Sequence, residues 1–263
     1  MKLAALFALC LSVLAVGADA RGGFIYPPST GNSPRVGPYG AGSSPPPPTP
    51  PTRVQIWSPS VYGAHSISQA APVAFTAGNA VEVFAFSSQQ GMSAYTVTAT
   101  GLTFAACGAL VSYDNTGGQG AAQMFVAANV PGTNPSVTVA NDGSLDPTGQ
   151  GVQFVASEYK GLRSSSSPCV QAASGTNVFT GATAALSGTV SGNLLSFGTS
   201  DSFGSITTTS STGGAMNDGM GGNFGATIRG GDWQISPGGN VTGTHNGANG
   251  YNILIGVEYA ARP

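Results

Sequence analysis

Charge is what this chain has least of. Only 7% of its 263 residues are Asp, Glu, Lys or Arg, against about 25% in an ordinary globular protein. The formal net charge is −2, and no basic run interrupts the low-charge pattern. This excludes the electrostatic footprint of a nucleic-acid binder. It equally excludes a polybasic patch that would hold the chain on an anionic membrane surface. Histidine is scarce as well, with His65 and His245 the only two. Neither sits near a G-x-S-x-G elbow, which the chain lacks, so a serine-hydrolase triad has no sequence support. The three cysteines form no C-x-x-C pair and flank no histidine. Thiolate metal sites and thiol nucleophiles are therefore disfavoured. No stretch beyond the first 20 residues sustains the apolar stripe of an amphipathic helix.

What is present begins at the N-terminus. Met1-Lys2 is followed by an apolar run from Leu3 to Val16, broken only by Ser12, and then by Gly17-Ala18-Asp19-Ala20. Such a cationic start, short apolar run and small-x-small ending is the pattern of a secretory signal peptide over residues 1–20, with the mature chain starting at Arg21. A membrane anchor would need about 20 apolar residues, and no later stretch offers them, so no transmembrane segment is expected after cleavage. The chain is expected to be secreted, extracellular or at the cell surface. Cys107 and Cys169 then lie in an oxidising compartment, where one disulfide between them is expected, the alternative being two buried, unpaired thiols. Asn240-Val241-Thr242 is a formal glycosylation sequon, meaningful in a eukaryotic host.

Residues 21–52 are Gly-, Pro- and Ser-rich and end in Pro45-Pro46-Pro47-Pro48-Thr49-Pro50-Pro51. Proline fixes φ and removes donors, so this segment is read as a disordered linker whose end is a stiff polyproline spacer. Residues 53–263 read as a single β domain. Short alternating or apolar runs recur at Ala80–Phe86, Tyr95–Thr100, Ala109–Tyr113, Ala121–Ala127, Ser136–Ala140, Val152–Tyr159, Leu194–Gly198, Ser205–Thr209, Phe224–Arg229 and Tyr251–Tyr259. Turn residues such as Asn141-Asp142-Gly143, Pro237-Gly238-Gly239 and Asn246-Gly247 separate them. The pattern predicts an all-β fold, an antiparallel β-sandwich of jelly-roll-like topology. In Ala80–Phe86, Val81, Val83 and Ala85 share one face and Glu82 lies opposite. An outer-membrane barrel fits less well, since its strands run to about 9–11 residues with aromatic girdles.

Four segments carry a resemblance. They are TVTATGLTF (96–104), MFVAANVPGTNPSVTVA (124–140), VQFVASEYKGL (152–162) and the closing pair GGNVTGTHNG (238–247) with YNILIGVEYA (251–260). From about residue 72 onward the chain resembles a broad group of uncharacterised, jelly-roll-like β-sandwich domains in bacterial extracellular and phage structural proteins. The resemblance implies a fold class and an extracellular or particle-surface setting, and it transfers no catalytic residue.

Candidate sites are few. Trp233, flanked by Asp232 and Gln234, offers an aromatic face beside hydrogen-bonding groups, the combination that binds sugar rings. The alternative is a core tryptophan. Asn141-Asp142-Gly143-Ser144-Leu145-Asp146 could give Ca²⁺ two carboxylates, Asp142 and Asp146, but lacks the order of a calcium hand and reads equally as a turn. Glu82, Asp114, Glu158, Asp201, Asp218, Asp232 and Glu258 are candidates for a hydrolytic carboxylate pair, with no spacing that selects two. The reading that results is a non-enzymatic structural or adhesion domain without cofactor. Its partners would be an extracellular polymer, a glycan or copies of itself, since low charge removes one guard against edge-to-edge association. The alternatives are a carbohydrate-binding module and a glycoside hydrolase-like enzyme.

Overall fold

Two kinds of strand build this protein. Outer strands alternate between inward apolar and outward polar residues, while inner strands are buried on both faces. The computed structural model describes residues 49–59, 64–88, 92–115, 118–142, 151–164, 167–178, 181–201, 208–211, 216–224, 226–245 and 251–263. The expected signal peptide and nearly all of the expected linker lie outside the described residues.

The first eight strands are β1 (Thr52–Trp57), β2 (Ser66–Ala70), β3 (Ala80–Ser87), β4 (Tyr95–Thr98), β5 (Ala105–Asn115), β6 (Gly118–Ala127), β7 (Ser136–Asn141) and β8 (Val152–Lys160). The next eight are β9 (Cys169–Val178), β10 (Thr183–Thr189), β11 (Leu194–Asp201), β12 (Thr208–Ser210), β13 (Met220–Phe224), β14 (Ala226–Ile235), β15 (Gly239–His245) and β16 (Tyr251–Tyr259). All the pairings between them are antiparallel. The expected all-β sandwich is therefore what the chain forms, and no helix long and apolar enough to cross a membrane occurs among the described residues.

The sheet orders reveal a duplication. The first half forms a five-stranded sheet β1-β8-β3-β6-β5 and a three-stranded sheet β2-β7-β4. The second half forms β9-β16-β11-β14-β13 and β10-β15-β12. Each strand of the second half occupies the place of its counterpart in the first, β9 for β1 through β16 for β8. Strands β1 to β16 are thus two jelly-roll-like repeats in tandem. Their ends bind one another: Leu162 and Ala261 bridge, Arg163 N donates to Ala260 O at 2.9 Å, and Arg262 N donates to Gly161 O at 2.7 Å.

Three cores stack between four sheets. Val81, Val83, Ala85, Val137, Val139 and Phe154 fill the space between the two sheets of the first repeat. Ala184, Leu186, Leu195, Phe197, Val241 and Leu254 do the same in the second. The third core lies between the two five-stranded sheets, where Phe84, Phe86, Met124, Val155 and Tyr159 meet Ile228, Ile253, Ile255, Val257 and Tyr259. The five-stranded sheets are therefore inner layers, and the three-stranded sheets are the outer ones. This explains why β3 and β8 are buried almost throughout. The face of β3 opposite Val81 and Val83, which carries Glu82, is not wet. It is the seam between repeats, and Glu82 is 1% exposed.

Several strands differ from expectation. Strands β1, β2, β9 and β10 lie outside the runs expected as strands, and Thr52 at the start of β1 falls at the end of the expected linker. The run Phe224–Arg229 is the end of β13 and the start of β14 rather than one strand. His245, expected in a turn, closes β15 fully buried, with Nε2 3.2 Å from Asn252 Oδ1.

Candidate functional site

The buried carboxylates come first, because burying a charge without partners is costly. Glu158 and Glu258 are fully buried, and their surroundings are copies of one another. Glu158 accepts from Gln55 Nε2 at 2.6 Å, Thr76 N at 2.7 Å and Asn79 Nδ2 at 2.7 Å. Glu258 accepts from Gln171 Nε2 at 2.6 Å, Val190 N at 2.8 Å and Asn193 Nδ2 at 2.7 Å. Each asparagine follows a glycine with positive φ, Gly78 (85°) or Gly192 (90°), which makes the tight turn into the central strand. Each glutamine lies on the edge strand opposite its glutamate. Each site thus ties an edge strand, a turn and a central strand together. Three donors per carboxylate are what a buried anion requires, and both sites hold the fold.

The seam holds a different polar group. Ser196 Oγ donates to Glu82 Oε1 at 2.8 Å. These two residues occupy equivalent places in β3 and β11, since Val81 faces Glu158 as Leu195 faces Glu258. Burial pushes the Glu82 carboxyl up to about 7, opposed by the hydroxyls of Tyr259 and Ser196 and by the charge of Arg53. Glu82 Oε2 has no partner in good hydrogen-bond geometry among the described residues. Beside this pair, the other equivalent positions are Phe84 and Gly198. A Cβ on Gly198 would lie 2.4 Å from the Phe84 ring. The first repeat supplies the large groups at the centre of the seam, and the second supplies the small ones.

The two long sides of the seam are closed by different means. On one side Arg53 reaches from β1 to the second repeat and donates to Gly231 O at 2.8 Å and Asp218 O at 2.5 Å. On the other side, the place of Arg53 is taken by Cys169: Arg53 pairs with Tyr159 as Cys169 pairs with Tyr259. Cys169 lies in side-chain hydrogen-bond contact with Cys107 of β5. The disulfide expected between them is not formed in this structure: both are free thiols, Cys107 buried and Cys169 half-buried.

Trp233, expected either as a ligand platform or as a core residue, is partly buried against the seam core and meets Tyr159 edge-on, with ring centroids 6.2 Å apart. Its backbone is bridged to Asn217. Asp232 and Gln234 are both buried. Asp232 accepts from Arg229 Nε at 2.7 Å, Arg229 Nη2 at 2.9 Å and Gly219 N at 2.7 Å. Its carboxylate fastens the 216–219 segment onto β14.

Of the two expected calcium ligands, Asp142 is exposed and caps a loop. It accepts from Ser93 N at 3.0 Å, Ser93 Oγ at 2.5 Å and Ala94 N at 2.9 Å. The Ser93 hydroxyl, with the Ala94 and Ser93 amides, holds its carboxyl low, at about 2. Asp146 lies outside the described residues. Among the described residues, no group of three or more His, Cys, Asp or Glu side chains could hold a metal ion.

What remains is the outside of the slab. On the first outer sheet, Ser68, Thr138 and Thr98 form one row across the strands, and Ser66, Ala140 and Thr96 the next. Ser66, Ser68, Thr96, Thr98 and Ser136 are exposed, and Thr138 Oγ1 donates to Ser68 Oγ at 2.9 Å. The second outer sheet turns Thr183, Ala185, Ser187, Asn240, Thr242 and Thr244 outward, while Ala184, Leu186 and Val241 point in. Neither outer sheet contains an Asp, Glu, Lys or Arg. The two faces lie on opposite sides of the four layers. No family model, curated protein or solved structure matches this chain.

Proposed function

We propose that this chain is exported and works by contact, as a non-enzymatic slab that presents two uncharged, hydroxyl-bearing faces to a neutral extracellular polymer. The observation that carries this reading is the pair of opposed outer sheets, each lined by Ser, Thr, Ala or Asn and free of charged residues. An array of hydroxyl and methyl groups can hydrogen-bond and pack against a polymer that itself displays hydroxyls, without the desolvation of charge. Two such faces on one body can bridge two strands of polymer, so that weak contacts combine. The signal-like N-terminus and the proline-rich segment before β1 fit a chain displayed outside the cell.

The carbohydrate-platform reading at Trp233 has less support, because the tryptophan packs on Tyr159 and its acidic neighbour is engaged by Arg229. The hydrolase reading has less support because Glu158 and Glu258 each serve three structural donors.

The test is clumping of an insoluble neutral polysaccharide, such as cellulose particles, by the full chain. Wild type is expected to bind and clump the particles. Thr98→Lys with Thr138→Lys should abolish clumping while leaving binding, as should Thr183→Lys with Thr242→Lys. All four together should abolish binding. Failure of wild type to bind, or binding indifferent to all four lysines, would overturn the reading.

A further inference from the structure

We propose that Cys107 and Cys169 are a cross-linking site, at which a small-molecule disulfide converts the two thiols into one bond that ties the repeats together across the seam. The proposal goes beyond surface contact and does not depend on it.

Local structure brings the sulfurs together. Strand β5 breaks its register with β6 between Cys107 and Val111. Gly108 sits at this irregularity with φ of 88°, a conformation that L side chains avoid. A Cβ on Gly108 would lie only 2.9 Å from the Cβ of Ala172 in β9. Glycine here therefore lets the two edge strands of different repeats approach closely. The preceding residue, Cys107, then meets Cys169 at side-chain hydrogen-bond distance. Strand β9 has its own irregularity next to Cys169, opposite Tyr259.

The pair is also asymmetric in a way that orders the chemistry. Cys169 is half-buried and Cys107 is 1% exposed. The contact between the two thiols lowers the pKa of Cys169, while that same contact, together with burial, raises that of Cys107. The thiolate is the nucleophile in exchange, and it must be reachable. Cys169 is thus the residue that attacks. Its sulfur bonds to one sulfur of the small disulfide, whose S–S bond breaks and whose other half leaves as a thiolate that takes up a proton. Cys107 then loses its proton to solvent, and its sulfur attacks that of Cys169. The Cys107–Cys169 bond forms, and the second half of the reagent leaves as a thiol. Two protein thiols are oxidised, and one small disulfide is reduced to two small thiols.

The experiment uses the full chain carrying Cys10→Ser, so that thiol counting reads this pair alone, with oxidised glutathione as the reagent. A site-specific protease sequence is placed in the inter-repeat loop between Arg163 and Pro168. After oxidation and cutting, a non-reducing denaturing gel is expected to show one band, and reduction should split it into two. Free thiols should fall from two to none, with no retained glutathione. In Cys107→Ser the glutathione adduct should accumulate on Cys169, while Cys169→Ser should react at least about tenfold more slowly. Two thiols still titratable after oxidation, or two bands without reductant, would overturn the proposal.

Discussion

The two repeats place the same eight strands in the same order, and they differ where they meet. Away from the seam they are near copies: Gln55, Asn79 and Glu158 in one, Gln171, Asn193 and Glu258 in the other, with hydrogen bonds that match within 0.1 Å. At the seam Tyr159 and Tyr259 remain alike, but the pairs at its centre and at its sides are unequal. Glu82 faces Ser196, Phe84 fills the space above Gly198, and Arg53 stands where Cys169 does on the opposite side. Two identical surfaces with Phe at both central positions would overfill the core, and two glycines would leave a cavity. The difference shows what duplication within one chain permits: large and small groups can be assigned to opposite partners, which a symmetric dimer cannot do.

That comparison can be broken at its equal part first. Glu158→Ala and Glu258→Ala each leave buried donors unmatched, and each should cost on the order of 4 kcal/mol in chemical denaturation. Their equality is the informative result, because a large inequality would mean that the two sites do different work. At the unequal part, Gly198→Ala should cost about 3 kcal/mol through collision with Phe84, and adding Phe84→Leu should recover part of the loss. The mirror substitution on the wet outer face, Ala185→Val, should change little.

Glu82 gives a pH dependence. Its folded pKa of about 7 lies above its unfolded value, so the folded chain binds more protons between the two. Stability from this group is complete below about pH 4, falls as pH rises through the window, and is lost above about pH 7, by up to about 3 kcal/mol. Thermal melts across that range should show the decline in wild type and a flatter profile in Glu82→Gln. Arg53→Met removes two hydrogen bonds to backbone carbonyls on the other side of the seam and should cost about 1–2 kcal/mol. Oxidising Cys107 and Cys169 should make that substitution easier to tolerate, since the chain would then be fastened on the opposite side.

Much of the fold is legible in the residues. Strands β7 and β16 announce themselves by alternation or by aliphatic content, and turn residues bound them. Strands β1, β2, β9 and β10 do not, because Ser, Thr, Gly and Ala on a wet face are also loop residues. The duplication leaves only short traces: Val-Gln at 54–55 and 170–171, Gly-Asn at 78–79 and 192–193, Glu-Tyr at 158–159 and 258–259. They are far apart, and complementary divergence at the seam removes similarity from the central strands between them. Glu82 is placed by its strand on the face opposite Val81 and Val83, but a single strand cannot reveal that a second sheet covers that face. Trp233, Asp232 and Gln234 are adjacent in the sequence, but the partners of Trp233 and Asp232, Tyr159 and Arg229, come from the packing of β14 and the seam.

The central claim is that the repeats share one core and behave as one body with two opposed faces. Calorimetric unfolding of the full chain tests it most directly. A single cooperative transition is expected, shifted by comparable amounts by Glu158→Ala and Glu258→Ala. Two separate transitions, each moved by only one of these substitutions, would contradict it.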